Sequence, residues 1–482
     1  MPSVPIAATE NSPSVVNPNR VAGSFRDPSG YVFEREGRVF RAIDGTCHAH
    51  LRHLTEKGLL AKWIESHMLV GTRFVEEPQN KSLQSEHPGY AHFLEHDRIA
   101  PITFPYEWTL SMLADAAILT LDLQIRLLSA GFSLKDATAY NIQFVKGRPI
   151  FIDLSSIERP GRLDLWFALG QFERIFLFPL LLCQHRGWDL RSYFLSSIHG
   201  RDLEQVSRSL GWFALCRPSL LLDVTLPLLL ERKENKKQTH DRRVLHKPGT
   251  NSEPQLLNLK RLRSKIRKLA SGFKPRGVWA DYTSTCSYDQ AAETAKKELV
   301  RDFLNSTRPR CVLDLGCNTG DYSFIAAESG AQVIAADGDP AAVELLYHRL
   351  KKDPRPISPV VLDLANPSPA IGYRNRERAN FFDRAKSDCV LALALIHHLL
   401  VSANFSLAAI RDLFCDLTKE YLVLEFVPTN DPMFQRLMKF RVDLFKDLTL
   451  ELCLQVFGQR FELIKQQPIA GSPRTLLFMR IT

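Results

Sequence analysis

The chain has 482 residues, 45% of them hydrophobic and 24% charged. These are ordinary globular values with apolar residues enough for two or three domains, and they exclude a disordered, collagenous or membrane-embedded chain. The formal net charge is +9, but Glu231 to Arg276 holds 15 Lys or Arg against four acids, +11, so the remainder carries −2 and nucleic acid is not an expected partner.

Nine scattered cysteines without a C-x-x-C pair point to a reducing compartment, the cytoplasm, rather than to a disulfide framework. Residues 1–26 mix Pro, Ser and Asn and lack the apolar block of a secretion signal, so a disordered leader is expected there. Tyr31 to Ile43 alternates around Glu36-Gly37 and predicts a hairpin. A helix is expected from about His48 to Met68. Cys47-His48-Ala49-His50 has no distant partners in sequence and is read as a helix start; no metal site is assigned. FPYEW then leads into an apolar-periodic helix from Leu110 to Leu128.

Next comes GFSLKDATAYNIQFVKGRPIFIDLSS, in which Asp136 and Asn141 are five apart and Asp153 follows a short hairpin at Gly147. That order resembles the catalytic loop and metal-binding Asp of protein-kinase-like and small-molecule-kinase-like folds. The resemblance implies an α+β domain over residues 27–230, with Asp136 facing a hydroxyl acceptor and Asn141 and Asp153 holding magnesium. Leu134-Lys135 stands in place of His-Arg, and Asp153-Leu154-Ser155 in place of D-F-G. The first hundred residues contain neither G-x-G-x-x-G nor V-A-I-K. A structural or substrate-presenting domain is therefore expected rather than an active kinase; the alternative is that Asp136 and Asn141 only cap turns. Ile175 to Cys183 is too short to span a bilayer, and Trp212 to Leu230 is broken by Arg217, Asp223 and two prolines.

Residues 231–276 read as a basic linker. Within it, residues 256–269 place Leu259, Leu262, Ile266 and Leu269 at helical spacing among Lys and Arg. Such a helix suits an anionic membrane surface, or it packs its Leu stripe on a neighbouring domain. Val278 to Asp289 supplies aromatics either for a lid or for packing.

From residue 277 to 482 the pattern alternates strand, turn and helix. Cys311 to Leu315 is a buried parallel strand, followed by Gly316-x-Asn318-x-Gly320 and by Asp321 at a helix start. A dinucleotide loop needs G-x-G-x-x-G, which is not present. The run DLGCNTG from Asp314 resembles instead the first motif of class I S-adenosylmethionine-dependent methyltransferases. That resemblance implies S-adenosylmethionine as cofactor and a Rossmann-like sheet of seven strands with flanking helices. Asp314 would answer the ligand's positive charge, with Gly316, Asn318 and Gly320 forming the loop. Asp337, 17 residues past Gly320, would take the ribose hydroxyls, with Asp339 its competitor, and Asp363 the adenine amino group.

The fourth strand is expected to end in Ile396-His397-His398, making His397 or His398 the candidate general base for an oxygen acceptor, with Glu425 a second choice. No (D/N)-P-P-(Y/F) occurs there, which disfavours adenine N-methylation. The whole layout resembles bacterial methyltransferase-like proteins that include a rhizobial host-specific nodulation protein. It implies a small-molecule or glycan-type acceptor, a nodulation signal or surface glycan precursor.

Overall fold

The computed structural model describes residues 20–236, 251–273, 290–438, 445 and 447–482. Residues 1–19 of the expected leader, 237–250 and 274–276 of the linker, and the aromatic segment Val278 to Asp289 lie outside them. The described chain forms two compact units, residues 20–66 with 70–98, and residues 67–69 with 99–482.

In the first unit, β1 (Gly30–Arg35), β2 (Arg38–Ile43), β3 (Thr72–Phe74) and β4 (His92–His96) form an antiparallel sheet in the order β1-β2-β4-β3. The expected hairpin is present. Glu36 and Gly37 both take positive φ, 52° and 75°, the pair of left-handed residues that a two-residue hairpin turn needs. Residues 20–24 are not loose, because the edge of β1 accepts them: Val21 donates to the Val32 carbonyl at 2.9 Å, and the Ser24 hydroxyl accepts from the Val32 amide at 2.7 Å. The single helix expected from His48 to Met68 is two, Gly45–Glu56 and Leu59–Glu65, separated at Gly58, whose φ of 67° ends the first. Asp44 caps the first by accepting from Cys47 N at 2.7 Å.

The second unit begins with the helix Leu110–Ser129. The paired two-residue strands β5 (Ser133–Leu134) and β8 (Ile157–Glu158) follow, with the hairpin β6 (Ile142–Val145) and β7 (Arg148–Phe151) between them. The basic helix, Glu253–Ser271, buries Leu259, Leu262 and Ile266 and packs on the Leu110–Ser129 helix, where Arg263 pairs with Asp122 at 2.6 Å. Its apolar stripe is therefore packed internally, as the second of the two expectations for residues 256–269 has it, while Leu257, Lys260, Arg267 and Lys268 stay exposed on its outer side.

A seven-stranded sheet completes this unit. Its strands are β9 (Cys311–Leu315), β10 (Gln332–Asp337), β11 (Ile357–Val361), β12 (Ser387–Ala392), β13 (Thr418–Phe426), β14 (Phe461–Pro468) and β15 (Thr475–Ile481). They lie in the order β11-β10-β9-β12-β13-β15-β14, and β15 is antiparallel to both of its neighbours. Alternation along each strand gives a core to both faces: Leu313, Ile334 and Val390 point to one side, and Val312, Val333 and Leu391 to the other. Residues 99–236 pack with this sheet. Glu107, with no solvent exposure, pairs with Arg384 at 2.5 Å, and Asp115 accepts from the Tyr347 hydroxyl at 2.8 Å and from Lys351 at 2.6 Å. Packing thus groups residues that composition had assigned to segments on either side of the basic linker.

Candidate functional site

The chain passes from β9 into the helix Asp321–Glu328 through a loop with three left-handed residues, Gly316 (φ 72°), Asn318 (φ 49°) and Gly320 (φ 89°). Two of them are glycine, as that backbone favours. Gly316 N and Cys317 N donate to the Ala336 carbonyl at 2.8 and 3.1 Å, and Asn318 N donates to Asp337 Oδ2 at 2.8 Å. The loop is thereby held against the end of β10.

Above it opens a cavity of about 700 Å³, whose wall includes Asp314, Gly316, Asn318, Asp337, Asp363 and His398. It lies where the strand order reverses between β9 and β12, the place at which open α/β sheets bind ligands. Gly320 belongs to the turn rather than the wall, packed against Leu346.

Each carboxylate has a defined environment. Asp314, only 2% exposed, accepts from the Ser323 hydroxyl at 2.6 Å, and burial pushes its pKa up to about 7. Asp337 accepts from Asn318 N and from Asp339 N, both at 2.8 Å; burial raises its pKa while these amides oppose the shift. Asp339 caps the helix Pro340–Lys352 through Ala341 N at 2.9 Å, which distinguishes it from Asp337. Asp363 is exposed and accepts from Ala365 N at 2.9 Å.

The other charges of the wall are matched. Asp321 pairs with Lys297 at 2.8 Å and Arg349 at 2.7 Å, and Glu293 pairs with Lys297 at 2.8 Å. On the opposite side four buried groups form a neutral set: Lys296 meets Glu425 at 2.5 Å, while Arg474 meets Glu425 at 3.2 Å and Asp431 at 2.7 Å. Among the described residues, the wall's carboxylates without an ion-pair partner are thus Asp314, Asp337 and Asp363, with Asp339 spent on its cap. Asn318 Oδ1 is buried with no hydrogen-bond partner among the described residues.

The two histidines separate. β12 ends at Ala392, not at His398; Ala394 (φ 49°) turns the chain, and both histidines sit on the helix Ile396–Val401. Adjacent helical residues point about 100° apart, and of the two histidines one lines the cavity. His398 does, and burial, then Arg474, lowers its pKa to about 4. His397 is fully buried, stacks on Phe434 at 6.0 Å and does not line the cavity; burial drives its pKa well down. Glu425, the second choice as base, has no solvent exposure and is enclosed by two cations. Lys296, Asp431 and Arg474 were not singled out from sequence. They are far apart along the chain and carry no motif; only the positions of β13 and the β14–β15 hairpin bring them together.

In the earlier part of this unit, Asn141 Nδ2 donates to Asp153 Oδ2 at 3.1 Å, and the Ser155 hydroxyl donates to Asp153 Oδ1 at 2.7 Å. Asp136 N donates to the Ser156 hydroxyl at 3.0 Å. Asn141 and Asp153 are brought together, 12 positions apart.

No protein-family model matches the chain. Nodulation protein NoeA of Rhizobium meliloti (strain 1021) is 34% identical over 468 residues, covering 95% of each chain. The chain belongs to the NoeA family. Among solved structures, magnesium protoporphyrin IX methyltransferase from Synechocystis PCC 6803 covers 40% of this NoeA relative at 16% identity and TM-score 0.29, with 83% of its own chain matched. The N-methyltransferase NodS from Bradyrhizobium japonicum WM9 also covers 40%, at 13% identity and TM-score 0.30, with 98% of its chain matched. The bifunctional kinase-methyltransferase WbdD covers 42% at 16% identity and TM-score 0.29, with 41% of its chain matched.

A side chain at Gly320 would be strained, because its backbone is left-handed and a Cβ would lie 2.4 Å from Leu346 Cδ1, forcing that methyl aside. Gly320→Ala is expected to cost about 1–3 kcal/mol, read as a lower urea midpoint with an unchanged m-value.

Proposed function

We propose that this chain is an S-adenosylmethionine-dependent methyltransferase whose cofactor site is the cavity at the ends of β9 and β10. The observation that carries the reading is the convergence of Asp314, Asp337 and Asp363 on one wall, none of them held in an ion pair among the described residues, while the wall's Lys296 and Arg474 are paired with Glu425 and Asp431. A nucleoside bearing a sulfonium and an ammonium group, and no phosphate, suits that wall. The buried, unpartnered Asn318 Oδ1 is a vacant acceptor of the kind such a ligand would satisfy. In this reading Asp337 accepts from the ribose hydroxyls, Asp363 from the adenine amino group, and Asp314 answers the positive charge. Gly316, Asn318 and Gly320 let the backbone approach closely.

When bound, the cofactor supplies an electrophilic methyl group. The chain's own task is to align an acceptor and accept its proton. His398 is the proposed base. With its pKa lowered to about 4, it is neutral throughout the neutral range. So weak a base suffices for an oxygen acceptor, because an alcohol oxygen becomes strongly acidic as its lone pair is committed to carbon. O-methylation is favoured for that reason, on a small-molecule or glycan-type acceptor such as a nodulation signal or surface glycan precursor, in keeping with the NoeA relative. Eight cysteines are free among the described residues, which supports a cytoplasmic site of action.

A second reading, an ATP-dependent phosphotransferase in a kinase-like domain, is favoured by the 3.1 Å contact between Asn141 and Asp153. Magnesium ATP binding by calorimetry, lost in Asp153→Ala, would support it; no heat with the unaltered protein would remove it.

Two outcomes test the first reading. Asp337→Ala is expected to weaken S-adenosylmethionine binding about 10- to 100-fold in calorimetry, the loss of hydrogen bonds to a charged acceptor, with the wild-type-like fold checked by circular dichroism. Unchanged affinity would refute the assignment. The pKa of Asp314, raised to about 7, sets a pH dependence: below that value the carboxyl is protonated and neutral, above it charged. A cationic donor favours the charged form. Affinity should rise as pH rises through about 7, with proton release on binding, and should be flat in Asp314→Asn.

A further inference from the structure

Single exposed apolar side chains are normal on a soluble protein; contiguous ones mark a contact. Of the large apolar side chains exposed among the described residues, half fall between Trp212 and Leu257. Trp212 is 77% exposed, Phe213 89%, Leu222 56%, Leu226 43%, Leu229 57% and Leu257 68%.

Contacts hold the three segments that carry these residues side by side. The wide helical turn Leu221–Thr225 continues into the helix Leu226–Lys236. Leu220, Val224 and Leu228 bury one side of it, and Leu222, Leu226 and Leu229 expose the other. A helix apolar on both sides is one that expects a second apolar neighbour. The Thr225 hydroxyl donates to the Leu215 carbonyl at 2.7 Å, which ties the Trp212–Leu215 turn alongside. Asp223, 3% exposed, receives Arg261 at 2.5 Å and Lys265 at 2.8 Å, so the basic helix lies against the same segment. Leu257 is one turn before Arg261 on that helix. Lys260, Arg267 and Lys268 are exposed on it, as is Lys233 on the neighbouring helix.

Charge and composition select the occupant. Residues 237–250, which follow the patch, contain only Val244 and Leu245 as large apolar residues, against Lys237, Arg242, Arg243 and Lys247. That composition favours water over an apolar face. A symmetric pair of copies would bring like-charged bases towards one another across the axis. An anionic bilayer surface satisfies both features, taking the aromatic and Leu side chains at the acyl boundary and the bases at the headgroups. No described helix is long and apolar enough to cross a membrane, so the contact is peripheral.

We propose that this chain docks on an anionic phospholipid surface through the face formed by Trp212, Phe213, Leu222, Leu226, Leu229 and Leu257, with Lys233, Lys260, Arg267 and Lys268 at its rim. The inference is independent of the methyltransferase reading and goes beyond it. The test is co-sedimentation of the full chain with phosphatidylcholine vesicles, with and without phosphatidylglycerol. Binding is expected only with phosphatidylglycerol, weakening as salt rises. Trp212→Ser with Phe213→Ser should reduce it about tenfold or more, and Lys260→Glu with Arg267→Glu should weaken it and flatten its salt dependence. Circular dichroism melting of each variant controls for folding, since all these positions are exposed. Equal binding to both vesicle types, or to neither, would overturn the proposal. So would a concentration-dependent dimer in light scattering that Leu226→Gln with Leu229→Gln abolishes, because the face would then be a self-interface.

Discussion

The attachment of the Gly316–Gly320 loop to the end of β10 is the constraint on which the candidate site depends. Three backbone amides of the loop reach across to one neighbouring strand, two to the Ala336 carbonyl and one to the Asp337 carboxylate. Asp337 is therefore both part of the cavity wall and the anchor of the turn beneath it. Parallel pairing of β9 with β10 sets the register, placing Leu315 opposite Ala336, so that the loop emerges beside the carboxylate. A strand shifted by one residue would turn its side chains to the other face and leave the loop without its partner.

Charge is divided unevenly around the cavity. Near the loop stand carboxylates without ion-pair partners among the described residues, whereas near the β14–β15 hairpin Lys296, Glu425, Asp431 and Arg474 cancel one another in near-complete burial. Buried ions are tolerated only when paired, and removing one member of such a set leaves an uncompensated charge at a cost of about 3–5 kcal/mol. The tetrad thus acts as a rigid neutral wall between the end of β13 and the closing hairpin. His398 lies under the influence of its Arg474, which adds to burial in keeping the imidazole unprotonated. The field of this side is set by residues whose own charges are already spent.

The basic segment serves two different physical ends. Arg261, Arg263 and Lys265 turn inward to Asp223 and Asp122 and fasten their helix to the rest of the second unit. Lys260, Arg267 and Lys268 remain in solvent. A single count of net charge merges the two sets, although only the second is available to an outside partner. The apolar stripe of the same helix is consumed internally, and the exposed apolar surface belongs to the preceding residues Trp212 to Leu230 together with Leu257 on the helix's outer side.

Local pattern was enough for much of this protein. Alternation marked the first hairpin; a short, mainly apolar run marked β9; the spacing of Gly316, Asn318, Asp337 and Asp363 marked one wall of the cavity, and Gly320 the turn beneath it. Each of these signals lies in residues close in sequence, where the period of a strand or the φ demanded by a turn leaves few choices. The sequence could not choose between His397 and His398, because β12 stops at Ala392 and the turn at Ala394 puts both rings on a helix, whose packing decides which one faces the cavity. Nor could it reveal the Lys296, Glu425, Asp431 and Arg474 set, or which Lys and Arg of the basic helix are internally paired. Those follow from contacts between elements up to hundreds of residues apart, and only tertiary packing decides which charges are buried together and which are left to water.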